Sequence, residues 1–507
     1  MHRQGGYPVV LTADETLMAG YRLLFDGMLA SSQTTRTPSP VMRLLMPRPK
    51  QPGVRAAVAP MGLRRIEAAL LAGGFATDDV VVVHPARLHH AIGPATRVVG
   101  VSSGEPAGIG MNTTTMTGIV GGRIYPAAMF GRLMKRIRRL LTDRAPSARV
   151  VLGGPGAWQL ADSEQARGEA GADHVVVGYA EANAAEIFRA AADGCDLQAV
   201  IAGEGVGPDA IPPIAGAATM GAVEISRGCG LGCSFCTIGH IPMIHVPEQT
   251  IVADAQTNVA GGCTSIAALS EDFFRYGAAG LNVNPGALIS LLERLREIEN
   301  LRLIQIDHAN VISVGGFDDA QLARVRELLA GNNRHRYLWV NLGVETAAGM
   351  LMKANGRAKM AGCPANEWAD LCKTQVRRLC RAGFFPMVSL VLGLPGETPD
   401  DAQATLEWVQ SLSRERVSVF PMLYAPVDGT QPPDVRRLSL LHWRLIRECY
   451  ALNFRWTPRM YWDNQSGAGV GLLRRCLMQA LGRGQMLQWR ALFAWHTLAR
   501  RMKRDEQ

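Results

Sequence analysis

Arg227-Gly228-Cys229-Gly230-Leu231-Gly232-Cys233-Ser234-Phe235-Cys236 spaces three cysteines as Cys-x3-Cys-x2-Cys. Three thiolates this close in sequence can hold three irons of a [4Fe–4S] cube and leave the fourth iron open. A cube with a cysteine on every iron would be closed for simple electron transfer. An open coordination position instead takes up a substrate or cofactor and does chemistry on it. The competing reading is three buried apolar cysteines, since free cysteine is often a core residue. The interleaved Gly228, Gly230 and Gly232 weigh against it, because they suit a loop wrapped tightly around a bulky inorganic core.

Working outward from that loop, a β/α series begins at about residue 222. Its strands are expected at Ala222–Ile225, Ser265–Leu269, Leu303–Ile306, Leu338–Leu342, Pro386–Leu392 and Val417–Leu423. Six strands with intervening helices predict a partial (β/α)6 barrel. The cysteine loop then follows the first strand, at the C-terminal rim where barrel active sites lie. Before it, residues 202–221 are rich in Gly, Pro and Ala and read as a linker. Residues 1 to about 195 alternate apolar runs (Val9–Leu11, Val80–Val83, Val98–Val101, Val150–Leu152, His174–Val177) with helix-period segments. This pattern predicts a doubly wound parallel sheet whose ligands sit at the carboxyl ends of its strands. From about 436 the chain is helical and rich in Arg, Trp and Leu. The expected fold class is therefore α/β: a sheet domain over 1–195, a linker over 196–221, a barrel over 222–435 and a helical region over 436–507.

With 507 residues and 48% hydrophobic side chains, the chain is long enough for two or three cores. No apolar run approaches the ~18 residues of a membrane span, and the first residues lack the apolar core of a signal peptide. Ten cysteines without an export signal suit a reducing cytoplasm and metal ligation rather than a disulfide framework. Lys and Arg outnumber Asp and Glu, 53 to 44, for a net charge of +9, a surplus that could attract nucleic acid, anionic lipid or an acidic protein.

The cysteine spacing resembles that of the radical S-adenosylmethionine (SAM) enzymes, and segments at successive strand ends extend the likeness over residues 222–430. Phe235 stands before the third cysteine, where the family carries an aromatic residue. Ser270-Glu271-Asp272 ends the second strand, where the family places an acidic motif that holds the SAM ammonium, here without its glycines. Gly343-Val-Glu345-Thr346 ends the fourth, resembling a segment that contacts the SAM ribose or carboxylate. Gly393-Leu-Pro395-Gly396-Glu397-Thr398 ends the fifth, similar to a turn that meets adenine. Asp307, His308 and Asn310 follow the third strand, where they could touch substrate or relay protons or simply form a polar rim.

The preceding α/β domain resembles the cobalamin-binding domain of B12-dependent radical SAM enzymes. The likeness rests on Ser102 and Ser103 in Val101–Glu105, Gly153 and Gly154 in a Gly-Gly-Pro turn, and Gly178 at the end of a third strand. Tyr179 and Ala180 depart from the family there. No Asp-x-His-x-x-Gly motif is present, so the lower face of cobalt has no assigned ligand. His84, His89 and His90 read as loop histidines.

The resemblance implies a [4Fe–4S] cluster on Cys229, Cys233 and Cys236, SAM, and cobalamin. The implied reaction is reductive cleavage of SAM to a 5′-deoxyadenosyl radical, followed by C-methylation of an unactivated carbon. The alternatives are oxidative cyclisation, C–C bond formation or rearrangement without methyl transfer, and, outside enzymes, a cobalamin or Fe–S sensor. An acidic electron donor of the ferredoxin or flavodoxin type is the expected partner, and a small-molecule or lipid-like compound the expected substrate. No added RNA-binding module is evident, so nucleic acid is not expected. Cys372 and Cys380 share a helix face with Val376 and Leu379, an ordinary core pattern, and the remaining cysteines are isolated. The basic stretch from Met486 to Arg504 reads as a helix docked on the barrel, with a peripheral membrane contact or aromatic stacking on nucleic acid as its alternatives.

Overall fold

The structure, a computed structural model, describes residues 5–50, 53–332, 335–426 and 434–505. The chain divides into two compact units: Met1–Glu224 with Val246–Ile266, and Ile225–His245 with Ala267–Gln507.

The first unit is built on six parallel strands: β1 (Val9–Ala13), β2 (Val80–Val82), β3 (Val98–Ser102), β4 (Arg149–Gly153), β5 (His174–Val177) and β6 (Val200–Ala202). Their order is β2-β1-β3-β4-β5-β6, in register from Val9↔Val98 to Val177↔Ala202. Successive side chains of a strand point to opposite faces, and here both faces are buried. Val10, Val81, Val99, Val150 and Leu152 pack on one side with Phe130, Leu133 and Ile137 of helix Tyr125–Arg144. Val9, Leu11, Val80, Val98 and Val151 pack on the other with Leu63 and Leu70 of helix Met61–Ala72 and Ile187 and Phe188 of helix Ala184–Asp193. Near-continuous valine runs are what a parallel sheet covered on both faces requires.

β6 falls inside the segment expected to be a linker. It is a three-residue edge strand followed directly by Gly/Pro-rich chain, so its composition conceals it. The later part of that segment is packed, while much of 203–210 is exposed. Ile211, Ile214, Ala217 and Ala218 are buried, Arg64 Nε donates to Ala217 O at 3.0 Å, and Ile214 N donates to Asp254 Oδ1 at 2.9 Å. Buried Arg65 closes the arrangement on Asp254 Oδ2 at 2.7 Å.

All six strands of the second series form. They are β7 (Ala222–Glu224), β10 (Ser265–Leu269), β11 (Leu303–Ile306), β13 (Leu338–Glu345), β14 (Phe384–Leu392) and β15 (Ser418–Leu423), with the short β8 (Ser226–Arg227), β9 (Ile244–His245) and β12 (His308–Asn310) added between them. β10 neighbours β11, and β12-β13-β14-β15 run side by side, with Leu338↔Phe384 and Met387↔Ser418 in register. The architecture is thus a doubly wound parallel sheet, a partial (β/α)6 barrel and a C-terminal helical region. In that last region, helix Leu440–Gly467 packs on helix Leu472–Asp505. Trp443 stacks on His496 at 4.3 Å, and Tyr450 meets Trp489 and Phe493.

Candidate active site and cofactor edge

The antiparallel pair β8–β9, with Ser226 opposite His245 and Arg227 opposite Ile244, forms the base from which the cysteine loop rises. Gly228, Gly230 and Gly232 all have positive φ, near +69°, +69° and +62°, a region closed to most side chains. A Cβ on Gly228 would also lie 2.4 Å from Pro242 O and 2.6 Å from Ile241 O. Arg275 Nη1 holds the loop by donating to Cys229 O at 2.9 Å. The three thiols are free and half-buried, and burial pushes all three up, Cys233 to about 11. Lys359 acts in the opposite direction on each, favouring thiolate. Among the described residues, no three His, Cys, Asp or Glu side chains are grouped as ligands of a single metal ion. A cube asks for something different, one thiolate on each of three irons. A loop that curls on three positive-φ glycines, carries three thiols and has a lysine close by fits that group.

The other strand ends divide into those that face inward and those that face the open rim. Ser270 is buried and shares a 2.6 Å hydrogen bond with Ser226 Oγ. Asp272 is fully enclosed. Its carboxylate accepts from Asn310 N at 3.1 Å, from Asn310 Nδ2 at 2.9 Å and from Ser313 Oγ. The Asp272 carboxylate is therefore spent on Asn310 and Ser313, tying the end of β10 to β12. Glu271 is the residue of the acidic segment that remains open to solvent. Its carboxyl is raised by desolvation, with Asp307 adding to the rise and His308 opposing it.

His308 is also open at the rim, its side chain 49% exposed, with Nδ1 3.0 Å from Asp307 Oδ2. Desolvation works against its charge, but Asp307, helped by Glu271 and Glu345, prevails and raises it to about 9. Asp307 is fixed in turn by Asn341, whose side chain donates to Asp307 Oδ1 at 3.3 Å. At the end of β13, Glu345 adopts a positive φ of 64° and pairs with buried Lys359. Burial disfavours the Lys359 charge, yet Glu345 outweighs that and holds the ammonium above its ordinary range. Gly343 leaves room for this pair, since a Cβ there would strike Lys359 Nζ at 2.4 Å. Lys359 carries no sequence motif. It lies in a short 3-10 turn after helix Gly349–Gly356 and is the residue that sequence reasoning missed here.

Asn355 joins the parts of this site. Its Oδ1 accepts from Ser234 Oγ at 3.0 Å and its Nδ2 donates to Pro395 O at 3.0 Å, so the cysteine loop and the Gly393–Thr398 turn share one anchor. Gly393 and Gly396 have positive φ and open space where a side chain would stand. Glu397 fixes the turn by accepting from Gly393 N at 2.9 Å and meeting His442 Nε2 at 2.8 Å. Phe235 is buried.

In the first unit, the order β2-β1-β3 places a topological switch point between β1 and β3, where sheets of this kind bind ligands. Ser102 and Ser103 end β3 there, and Asp14 follows β1. Ser103 Oγ, Asp14 Oδ2 and Tyr21 Oη are buried without partners. Burial raises Asp14 to about 6, against its bonds to Thr16. Gly154, at φ +95°, is required by close packing, because a Cβ would lie 2.6 Å from Ser102 Oγ and 2.8 Å from Ser103 N. Gly153 and Gly178 have no such neighbour and leave the edge open. Asp14 and Tyr21 were not foreseen; a lone acid after a short strand gives no signal until the strand order is known. His84 is buried and accepts from Ala86 N at 3.1 Å, so it caps a turn.

Residues 223–409 match the radical SAM superfamily. The ribosomal protein uS12 methylthiotransferase RimO of Syntrophobacter fumaroxidans is 27% identical over 237 residues, 43% of this chain and 48% of that protein. RimO of Beijerinckia indica is 26% identical over 226 residues, 42% and 45% of the two chains. The chain spans about half the length of the curated relatives it matches. Among solved structures, the radical SAM methyltransferase TsrM from Kitasatospora setae, with tryptophan substrate and a SAM analogue bound, aligns at a TM-score of 0.53 and 16% identity over 83% of this chain and 75% of that one. The same enzyme with cobalamin and a [4Fe–4S] cluster bound aligns at 0.52. The likeness to TsrM is one of fold, and it extends across both the sheet domain and the barrel.

Proposed function

We propose that this chain, which carries a radical SAM domain over residues 223–409, methylates an unactivated carbon with cobalamin as the methyl carrier. The observation that carries the reading is the presence in one chain of two sites: a glycine-lined three-cysteine loop at the barrel rim, and a sheet switch point with unpartnered buried polar atoms. When bound, a [4Fe–4S] cluster with SAM supplies radical chemistry at carbon, and cobalamin supplies a methyl group.

Cys229, Cys233 and Cys236 would hold the cluster, and Lys359 would balance thiolate charge beside them. Glu271, open at the end of β10, would accept from the SAM ammonium. Glu345, oriented by Lys359 and by Ser389 Oγ at 3.3 Å, would order the ribose or carboxylate end. The unfilled space at Gly393 and Gly396 suits a flat base. The Asp307–His308 pair would leave Nε2–H of the imidazolium free to donate to substrate. On the other unit, Ser102, Ser103, Gly153, Gly154 and Gly178 form the edge for cobalamin, and with His84 committed to its turn no histidine is assigned to cobalt. An acidic one-electron donor of the ferredoxin or flavodoxin type is the partner the net charge of +9 favours.

The RimO relatives support a second reading, methylthiolation. Inserting sulfur needs a donor, and residues 1–224 contain one cysteine, Cys195, which favours methyl transfer. The test is anaerobic reconstitution with methyl-deuterated SAM. Corrin absorbance with a labelled methyl in the product supports the proposal. A methylthio product supports the second reading. Product without added mass and no bound corrin rejects both.

A further inference from the structure

The helix Leu472–Asp505 has one face packed on helix Leu440–Gly467, through Trp489, Phe493 and His496, and a second face turned to solvent. At a helical repeat of ~3.6 residues, Leu473, Leu477, Ala480, Gly484, Leu487, Ala491, Trp495 and Leu498 fall on one stripe along that outer face. All eight are exposed, Leu473 to 85%, Leu487 to 65% and Trp495 to 64%. Single exposed leucines are normal on a protein surface, whereas a continuous apolar stripe marks an interaction site.

The charge on this helix selects the occupant. From Leu472 to Arg504 the sequence contains no Asp or Glu, while Arg474, Arg475, Arg483, Arg490, Arg500, Arg501, Lys503 and Arg504 are basic. Arg483 and Arg490 are exposed and border the stripe on one side. A second copy of the helix would bring arginine against arginine with no acid to pair, the reverse of what helix pairing needs. A surface that is apolar below and anionic above satisfies both features. Among the described residues no helix is long and apolar enough to cross a membrane, so the fitting geometry is a helix lying in the interface plane.

We infer that the outer face of Leu472–Asp505 docks the protein on an anionic lipid bilayer, with Leu473, Leu477, Leu487, Trp495 and Leu498 entering the acyl boundary and the exposed Arg483 and Arg490 meeting lipid phosphates. The inference rests on the helix alone and is independent of the chemistry at the cysteine loop.

The test is flotation of the full-length protein with vesicles of equal parts phosphatidylglycerol and phosphatidylcholine, against vesicles of phosphatidylcholine only. The protein is expected to float with the anionic vesicles and to be released by high salt. Leu487→Glu with Trp495→Glu should abolish flotation while leaving thermal melting and SAM cleavage unchanged, since both side chains are exposed. Arg483→Gln and Arg490→Gln should each weaken binding roughly fivefold. Any of the following would overturn the inference: failure to float with either vesicle, equal binding to both, a dimer dissolved by Leu487→Glu in a protein that ignores vesicles, or retention by RNA without flotation.

Discussion

Asp14 sets the residue scale. It is enclosed at the end of β1 with one oxygen unpartnered, and its carboxyl is raised to about 6. A folded-state value above the unfolded one means that the folded chain binds the proton more tightly. The associated stability is present below pH ~4 and is lost as pH rises through about 6. Asp14→Asn should therefore stabilise the cofactor-free protein by about 2–3 kcal/mol at neutral pH, with the gap closing toward pH ~4. Denaturant melts at the two pH values check this, and a gap independent of pH would count against it. His308 behaves in the same sense, at higher pH. Its pairing with Asp307 favours the imidazolium, so this contribution holds below its unfolded value of ~6.5 and disappears as pH rises through about 9. Asp307→Asn should lower the His308 value markedly in an NMR titration, with His308→Gln identifying the resonance; an unchanged value would remove the pair. Lys359→Met leaves Glu345 buried and unpaired and should cost about 3–5 kcal/mol, read as a lowered melting midpoint.

At the scale of elements, the cysteine loop makes the sharpest prediction. Gly228→Ala adds a side chain at positive φ and presses it on two backbone carbonyls, so reconstituted protein should lose most of its iron. Gly232→Ala meets open space and should keep its iron at a cost of about 1 kcal/mol from φ alone. Equal iron in the two variants would mean that the loop shape is not what holds the cluster. The same elements show what a sequence can and cannot reveal. Valine runs and strand-end glycines made eleven strands legible, because burial on both faces writes a continuous apolar pattern. β6, β8, β9 and β12 were not, being too short for any periodicity. Position at a strand end was readable for Glu271, Asp272 and Asn310, but which of them turns inward was not, because that depends on a partner from another strand. Lys359 was invisible for the same reason: its partner Glu345 is fourteen residues away and no spacing rule joins them.

For the whole molecule, two units carry two kinds of edge, one of thiols and one of glycines and small polar groups, and the account stands on the first of them being a SAM-cleaving site. The corrin at the second edge and the lipid contact of the C-terminal helix can each fail without disturbing that claim. The most direct test is production of 5′-deoxyadenosine from SAM by anaerobically reconstituted, chemically reduced protein, compared with Cys233→Ala prepared in the same way. The account predicts 5′-deoxyadenosine from the wild type and loss of at least about a hundredfold from the variant, at or beyond the upper end of what losing a group that merely supports a metal ligand costs. Equal amounts from the two proteins, or none from a wild type shown to hold its iron, would contradict it.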